Sequence, residues 1–205
     1  MKLYYAPGAC SQAAHILLHE TGLPHDSEAV DLRAHRTASG GDYYAINPKG
    51  AVPALQIGDD LLTENGAVLQ YIGDKAGNET LLPGAGMERY RVIEWLAYLG
   101  SDVHKSFGAL WNPASSDEAK QAARDLVGKK FDFIERTLDG RDYLAGPMMS
   151  VADPYLFAML GWTGMHGIDL SRWPRLAAFR KRMGQRPAVQ TVMRAEGLAE
   201  KADAS

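Results

Sequence analysis

The hydrophobic periodicity of this chain changes character once, at Leu82-Pro83-Gly84-Ala85-Gly86, and that change limits what it can fold into. Before it, short strand patterns alternate with helical ones; after it, every apolar spacing is helical. Lys2 to Tyr5 predicts a strand, and Ser11 to Thr21 predicts a helix with Ala14, Leu17 and Leu18 on one face and Gly22 as its stop. Ser27 to Leu32 predicts a second strand. Arg33 to Ala45 reads as an irregular segment or short helix, and Asn47-Pro48-Lys49-Gly50 as a turn. Ala54 to Ile57 and Leu61 to Thr63 flank Gly58-Asp59-Asp60 as a hairpin, and Asn65 to Ala76 returns to helical spacing up to Gly77. The order β-α-β-(α)-β-β-α predicts a small mixed sheet with a parallel start and an antiparallel finish.

That order is a thioredoxin-like layout, expected over residues 1–80. An all-helical region is expected over 86–205. There, Val92, Trp95, Leu96, Leu99, Val103 and Phe107 line one face of a long helix from Met87 to Leu110. Ser115-x-x-Glu118 reads as a capping box for a helix that turns Leu126, Val127, Phe131, Ile134 and Leu138 inward. Ser150-x-x-Asp153 reads as a second capping box, ahead of Tyr155, Leu156, Met159 and Leu160. Trp173-Pro174 and Pro187 each open a further helix.

Cys10 is the only cysteine. Pro7 and Gly8 end the first strand and place Cys10 at the start of a helix, where free N–H groups and the helix dipole favour an anion. This predicts a lowered thiol pKa, against the alternative of a small core residue. A single cysteine cannot close an internal disulfide, which fits a reducing compartment. Position 13 is Ala13, so a Cys-x-x-Cys redox pair is excluded and Cys10 can form only a mixed disulfide with an outside thiol. Two further places draw attention. Val52-Pro53 enters a strand; if its bond is cis, the preceding N–H and C=O face outward and can pair with a peptide-like ligand. Glu64-Asn65 lies at a strand end and helix start. Asn65 is a good N-cap there, and the pair also suits an α-amino acid head, with Asn65 on its carboxylate and Glu64 on its ammonium. His15 and His19 stand at i and i+4, but spacing fixes no acidic third ligand, so they read as ordinary helix residues and no metal is expected.

The formal net charge of −3 leaves no basic excess to neutralise phosphates, which argues against a nucleic-acid partner. No apolar run approaches membrane-spanning length and no secretory h-region is visible, so a cytoplasmic protein without membrane contact is expected.

Together, Tyr4-Tyr5-x-Pro7-Gly8-Ala9-Cys10-Ser11, Asn47-Pro48-Lys49-Gly50-x-Val52-Pro53-Ala54-Leu55, Thr63-Glu64 and Gln70-Tyr71-Ile72 resemble the bacterial beta-class glutathione transferases. So do Glu94-Trp95-Leu96, Asp102-Val103-His104-Lys105-x-Phe107, Ser150-Val151-Ala152-Asp153-x-Tyr155-Leu156-Phe157 and Arg182-Met183-x-x-Arg186-Pro187-x-Val189-Gln190. The resemblance implies a homodimer, with glutathione as co-substrate at the domain junction and an open apolar site for a small hydrophobic electrophile beside it. It places Cys10 near the glutathione sulfur, with Ser11 as a second candidate donor. It sets Val52, ahead of Pro53, against the cysteinyl backbone and Glu64 with Asn65 on the γ-glutamyl head. Asp102 would reach that head from the partner subunit, and His104 and Lys105 would close the site. His35 stands where many relatives carry a Lys that meets the glycine carboxylate. The implied activity is conjugation of glutathione to electrophiles. The alternatives are thiol-disulfide exchange or reductive dehalogenation through Cys10, and a non-catalytic carrier of apolar ligands, with Phe107, Trp111 and Trp162 lining a cleft.

Overall fold

The computed structural model describes residues 1–198 and divides into two compact units. The first comprises Met1–Glu79 together with the chain from Gly184 onward; the second is Thr80–Met183.

In the first unit, β1 (Lys2–Tyr5) lies at the centre of a five-stranded sheet of order β3-β2-β1-β4-β5. β2 (Asp26–Asp31) runs parallel to it, with Lys2 opposite Asp26. β4 (Ala54–Ile57) runs antiparallel, with Leu3 opposite Leu55. β5 (Asp60–Thr63) closes the expected hairpin on β4. β3 (Arg36–Thr37) is a two-residue edge strand paired with β2, followed by a 3₁₀ turn at Tyr43–Ala45. The polar segment read as irregular therefore carries a strand too short for any period to reveal.

α1 (Gln12–Thr21) connects β1 to β2, and α2 (Asn65–Ala76) follows β5 and packs on α1. Leu3, Ile16, Leu17, Leu55, Leu69 and Ile72 are fully buried; each such side chain stabilises the fold by roughly 1.5–3 kcal/mol. Alternation along β1 gives the sheet a second apolar cluster, of Tyr4, Ala6, Val30, Tyr43, Val52 and Ala54. This is the thioredoxin-like arrangement that the order of signals predicts.

α9 (Pro187–Ala195) belongs to this unit, packing its buried Ala188, Val189 and Val192 side against α1. The range 86–205 expected for the helical region is thus divided at its end.

The second unit is helical throughout. α3 (Gly86–Tyr98) passes through a π-helical turn (Leu99–Val103) into α4 (His104–Ser106), then α5 (Gly108–Trp111). The six apolar positions from Val92 to Phe107 are all buried, as their spacing predicts. α6 (Asp117–Thr137) buries Val127, Phe131 and Ile134, but Leu126 is exposed, contrary to expectation. Its cap is Ser116, whose Oγ accepts from Ala119 N–H at 3.2 Å, one residue later than the Ser115 box predicts. The second box forms in part: Asp153 reaches back to Ser150, but Ala152 and not Ser150 is the N-cap. Asp153 Oδ2 accepts from Ser150 N–H and Oγ–H, each at 2.7 Å, and Oδ1 accepts from Leu144 N–H at 2.9 Å. α7 (Asp153–Gly161) is buried over Asp153–Leu160, and the Asp153 carboxylate satisfies the N–H groups of the chain that enters it. α8 (Pro174–Gly184) completes the layer with Leu176, Phe179 and Met183.

Candidate active site around Cys10

The site grows out of the turn after β1. Gly8 takes a positive φ of 70°, which only glycine adopts without strain. Its N–H donates to Glu196 Oε2 at 2.8 Å. Ser11 Oγ accepts from Ala6 N–H at 3.1 Å and donates to Ala6 C=O at 3.4 Å, and Ser11 is fully buried. Ser11 therefore locks the turn, its hydroxyl directed at Ala6.

Cys10, partly buried, donates its S–H to the Val52 carbonyl at 3.3 Å. The backbone N–H groups of Cys10 and Ser11 favour the thiolate, as the sequence predicts. Burial outweighs them and the Glu64 carboxylate adds to it, so the thiol is pushed up to about 12. The expected lowering of the pKa is thus reversed, and the ligand-free thiol stays protonated at neutral pH.

The Val52-Pro53 peptide is cis. Ahead of it, Tyr43 O–H and Asn47 Nδ2 both donate to the Ala51 carbonyl, at 2.8 and 2.7 Å. The sequence marks Asn47 only as a turn and motif residue and does not single out Tyr43, because their partner is a backbone oxygen that no side-chain motif signals. Glu64 occupies the N-cap position of α2 with φ 72°. Its carboxylate meets Lys49 Nζ at 2.7 Å, and Lys49 also donates to Thr63 Oγ1 at 3.0 Å. Asn65 is the first helical residue and not the cap. Its Nδ2 donates to the Cys10 carbonyl at 2.7 Å, and its Oδ1 is buried without a hydrogen bond.

Cys10, Val52, Pro53, Glu64 and Asn65 thus converge, whereas His35 keeps other company. Its ring stacks on Tyr44 at 4.3 Å, with Nε2 3.1 Å from the Tyr44 hydroxyl. Gly50 leaves room for both rings, since a Cβ there would lie 2.7 Å from Tyr44 Cε1.

In the helical unit, Asp102 pairs with Lys130 at 2.6 Å and accepts from Ser101 Oγ at 2.8 Å, and Lys105 is exposed. The hydrogen bond from Lys130 leads the causes that hold the Asp102 carboxyl below its usual range. His104 Nδ1 lies 2.7 Å from the Tyr155 hydroxyl, and burial lowers the pKa of its ring. Trp162 packs 5.0 Å from His104 and 5.1 Å from Phe107. Phe107 and Trp162 are buried, while Trp111 is substantially exposed.

A thiol that donates to the carbonyl ahead of a cis-proline, on a thioredoxin-like unit joined in sequence to a helical one, points to a thiol-handling protein. Family comparison makes the class specific. Residues 1–74 match the glutathione S-transferase N-terminal domain and residues 95–187 the glutathione S-transferase C-terminal domain. The chain belongs to the glutathione S-transferase family, in its bacterial beta class. It is 42% identical to glutathione S-transferase GstA of Escherichia coli O157:H7, over 97% of this chain and all of that one. Among solved structures it is similar to a sphingomonad glutathione S-transferase complexed with glutathione, with a TM-score of 0.93, 46% identity, and coverage of 97% of this chain and 100% of that one. It is also similar to the ternary complex of BphK, a bacterial transferase, with a TM-score of 0.93, 50% identity and the same coverage.

Proposed function

We propose that this glutathione transferase joins the thiolate of glutathione to small apolar electrophiles, with the protonated Cys10 thiol as a hydrogen-bond donor to that thiolate. The supporting observation is the Cys10 S–H, which already donates to Val52 C=O at 3.3 Å. A protonated thiol is a poor nucleophile but a serviceable donor. The Cys10 and Ser11 N–H groups favour negative charge at the same place. A thiolate so held attacks the electrophile, displaces its leaving group, and leaves a thioether on glutathione.

The γ-glutamyl head is assigned to Glu64 and Asn65. The unpaired atom of Asn65 is an acceptor, Oδ1, so it suits the ammonium, and the carboxylate falls to the N–H groups that open α2. Val52 is assigned to the cysteinyl backbone, and His35 to the glycine carboxylate. His104 and Lys105 are assigned to the same ligand. In the assumed homodimer Asp102 reaches the head group of the partner's glutathione, exchanging Lys130 for its ammonium. Phe107, Trp111 and Trp162 are assigned to the electrophile. A cytoplasmic location accords with a lone free thiol; among the described residues no helix is long and apolar enough to cross a membrane.

Steady-state conjugation of an aryl halide, run beside turnover of a glutathione mixed disulfide, tests the reading. Conjugation that survives Cys10→Ala while disulfide exchange is lost supports it. Exchange faster than conjugation in the wild type would make disulfide chemistry the principal activity, and no turnover of either kind would leave a ligand carrier. Sedimentation velocity tests the homodimer.

A further inference from the structure

The first unit carries a cluster of imidazoles that the proposed chemistry does not use. His15 and His19 share one face of α1, one turn apart. His25, just before β2, returns to the same place after the Gly22 stop, a juxtaposition that spacing along the chain does not reveal. One ring nitrogen from each of the three lies within 4.8 Å of the others. The rings of His15 and His19 are 5.3 Å apart, and those of His19 and His25 are 5.0 Å apart.

The hydrogen bonds behind these rings select their tautomers. His15 Nδ1 lies 2.9 Å from Glu196 Oε1, with both side chains buried. A carboxylate accepts, so Nδ1 carries the proton and Nε2 keeps its lone pair. His25 Nδ1 lies 2.8 Å from the Leu23 carbonyl, which can only accept, so there too Nε2 is left as a ligand. A carboxylate or carbonyl behind the imidazole is the usual support of a metal-binding histidine. Glu196 is itself held by Gly8 N–H at 2.8 Å and Gln12 Nε2 at 3.1 Å, so His15 is anchored. His19 is exposed and free to adjust.

We propose that His15, His19 and His25 bind one borderline first-row divalent cation, of which Zn²⁺ is the type, through one ring nitrogen each, with Glu196 and the Leu23 carbonyl orienting His15 and His25. Imidazole donors suit zinc, copper and nickel and not magnesium or calcium. Tetrahedral zinc at about 2.0–2.1 Å from each nitrogen brings the nitrogens closer together than they stand here. The rings of His15 and His25 stand 6.4 Å apart, so the closure takes movement of the half-buried His25 ring as well as of the exposed His19 ring. The fourth position goes to water, since no acidic residue joins the three among the described residues.

Tag-free protein, treated with chelator and dialysed, would be titrated with ZnCl₂ by calorimetry and with CoCl₂ by visible absorption. The expected result is one ion per chain, with cobalt bands of a four- or five-coordinate nitrogen site. His19→Ala and His25→Ala, which spare the buried His15–Glu196 pair, should each weaken zinc by about 10–100-fold. Circular dichroism checks that both variants fold. Cys10→Ala should bind zinc as the wild type does, since the thiol is not a ligand. Absence of one-to-one binding, wild-type affinity in either histidine variant, or loss of binding in Cys10→Ala would each overturn the proposal.

Discussion

Asn65 Nδ2 donates to the carbonyl oxygen of Cys10 at 2.7 Å, tying the first residue of α2 to the residue that carries the thiol. The two are 55 positions apart in sequence, so this single bond ties the β1–α1 turn to the start of α2.

Asn65→Ala leaves that carbonyl without its donor. The expected cost is about 1–2 kcal/mol of stability, read by urea denaturation, and a rise in the KM for glutathione larger than any fall in kcat. An unchanged KM would remove Asn65 from the head-group site.

Cys10 alkylation reports the thiolate directly, because no other thiol is present. With burial pushing the thiol up to about 12, its rate with iodoacetamide should climb about tenfold per pH unit through the neutral range and show no plateau below about pH 10. The direction follows from the acid form prevailing below the pKa. An inflection near or below about pH 8 would mean that the N–H groups of the turn outweigh burial.

His104→Ala should lower kcat for conjugation more than it weakens glutathione binding, by about 2–3 kcal/mol if a donor to the thiolate is lost in a sheltered site. Tyr155→Phe removes only the partner 2.7 Å from Nδ1 and should produce a smaller loss of the same kind. Because burial lowers the pKa of His104, its ring gives up its proton at a lower pH than a free imidazole does. Its protonation should therefore contribute only to the acidic limb of the rate profile. Wild-type kcat in His104→Ala would exclude it from catalysis.

Asp153→Asn keeps the shape of the side chain but turns an amide donor toward a site where Ser150 offers two hydrogens to Oδ2. At a fully buried position this should cost about 3 kcal/mol or more. Equilibrium unfolding followed by tryptophan fluorescence measures it; a loss below about 1 kcal/mol, the value of an ordinary hydrogen bond, would show that the Asp153 bonds are dispensable.

Much of this was legible because periodicity reports burial. Leu3 and Leu55, or Trp95 through Phe107, are apolar at the period of the element they occupy. What stayed hidden depends on distance in space. The edge strand at Arg36–Thr37 exists only through its pairing with β2. His35 carries no mark in the sequence of its stacking on Tyr44. The shift on Cys10 has the sign opposite to that read from its place ahead of a helix, because desolvation comes from side chains brought over it by folding. The convergence on Cys10, Val52, Glu64 and Asn65 was approached through family motifs; the bond from Asn65 to the Cys10 carbonyl was not.

The return of α9 to α1 has a consequence for biosynthesis. A ribosome releases the chain from its N-terminus, so the sheet and α1 emerge early, while the helix that covers α1 and the Glu196 carboxylate that fastens Gly8 emerge among the last residues described. The turn that presents the thiol thus waits for the whole helical unit. Nascent chains halted after the helical unit would carry α1 without its cover, and the first unit matures only after synthesis of the second.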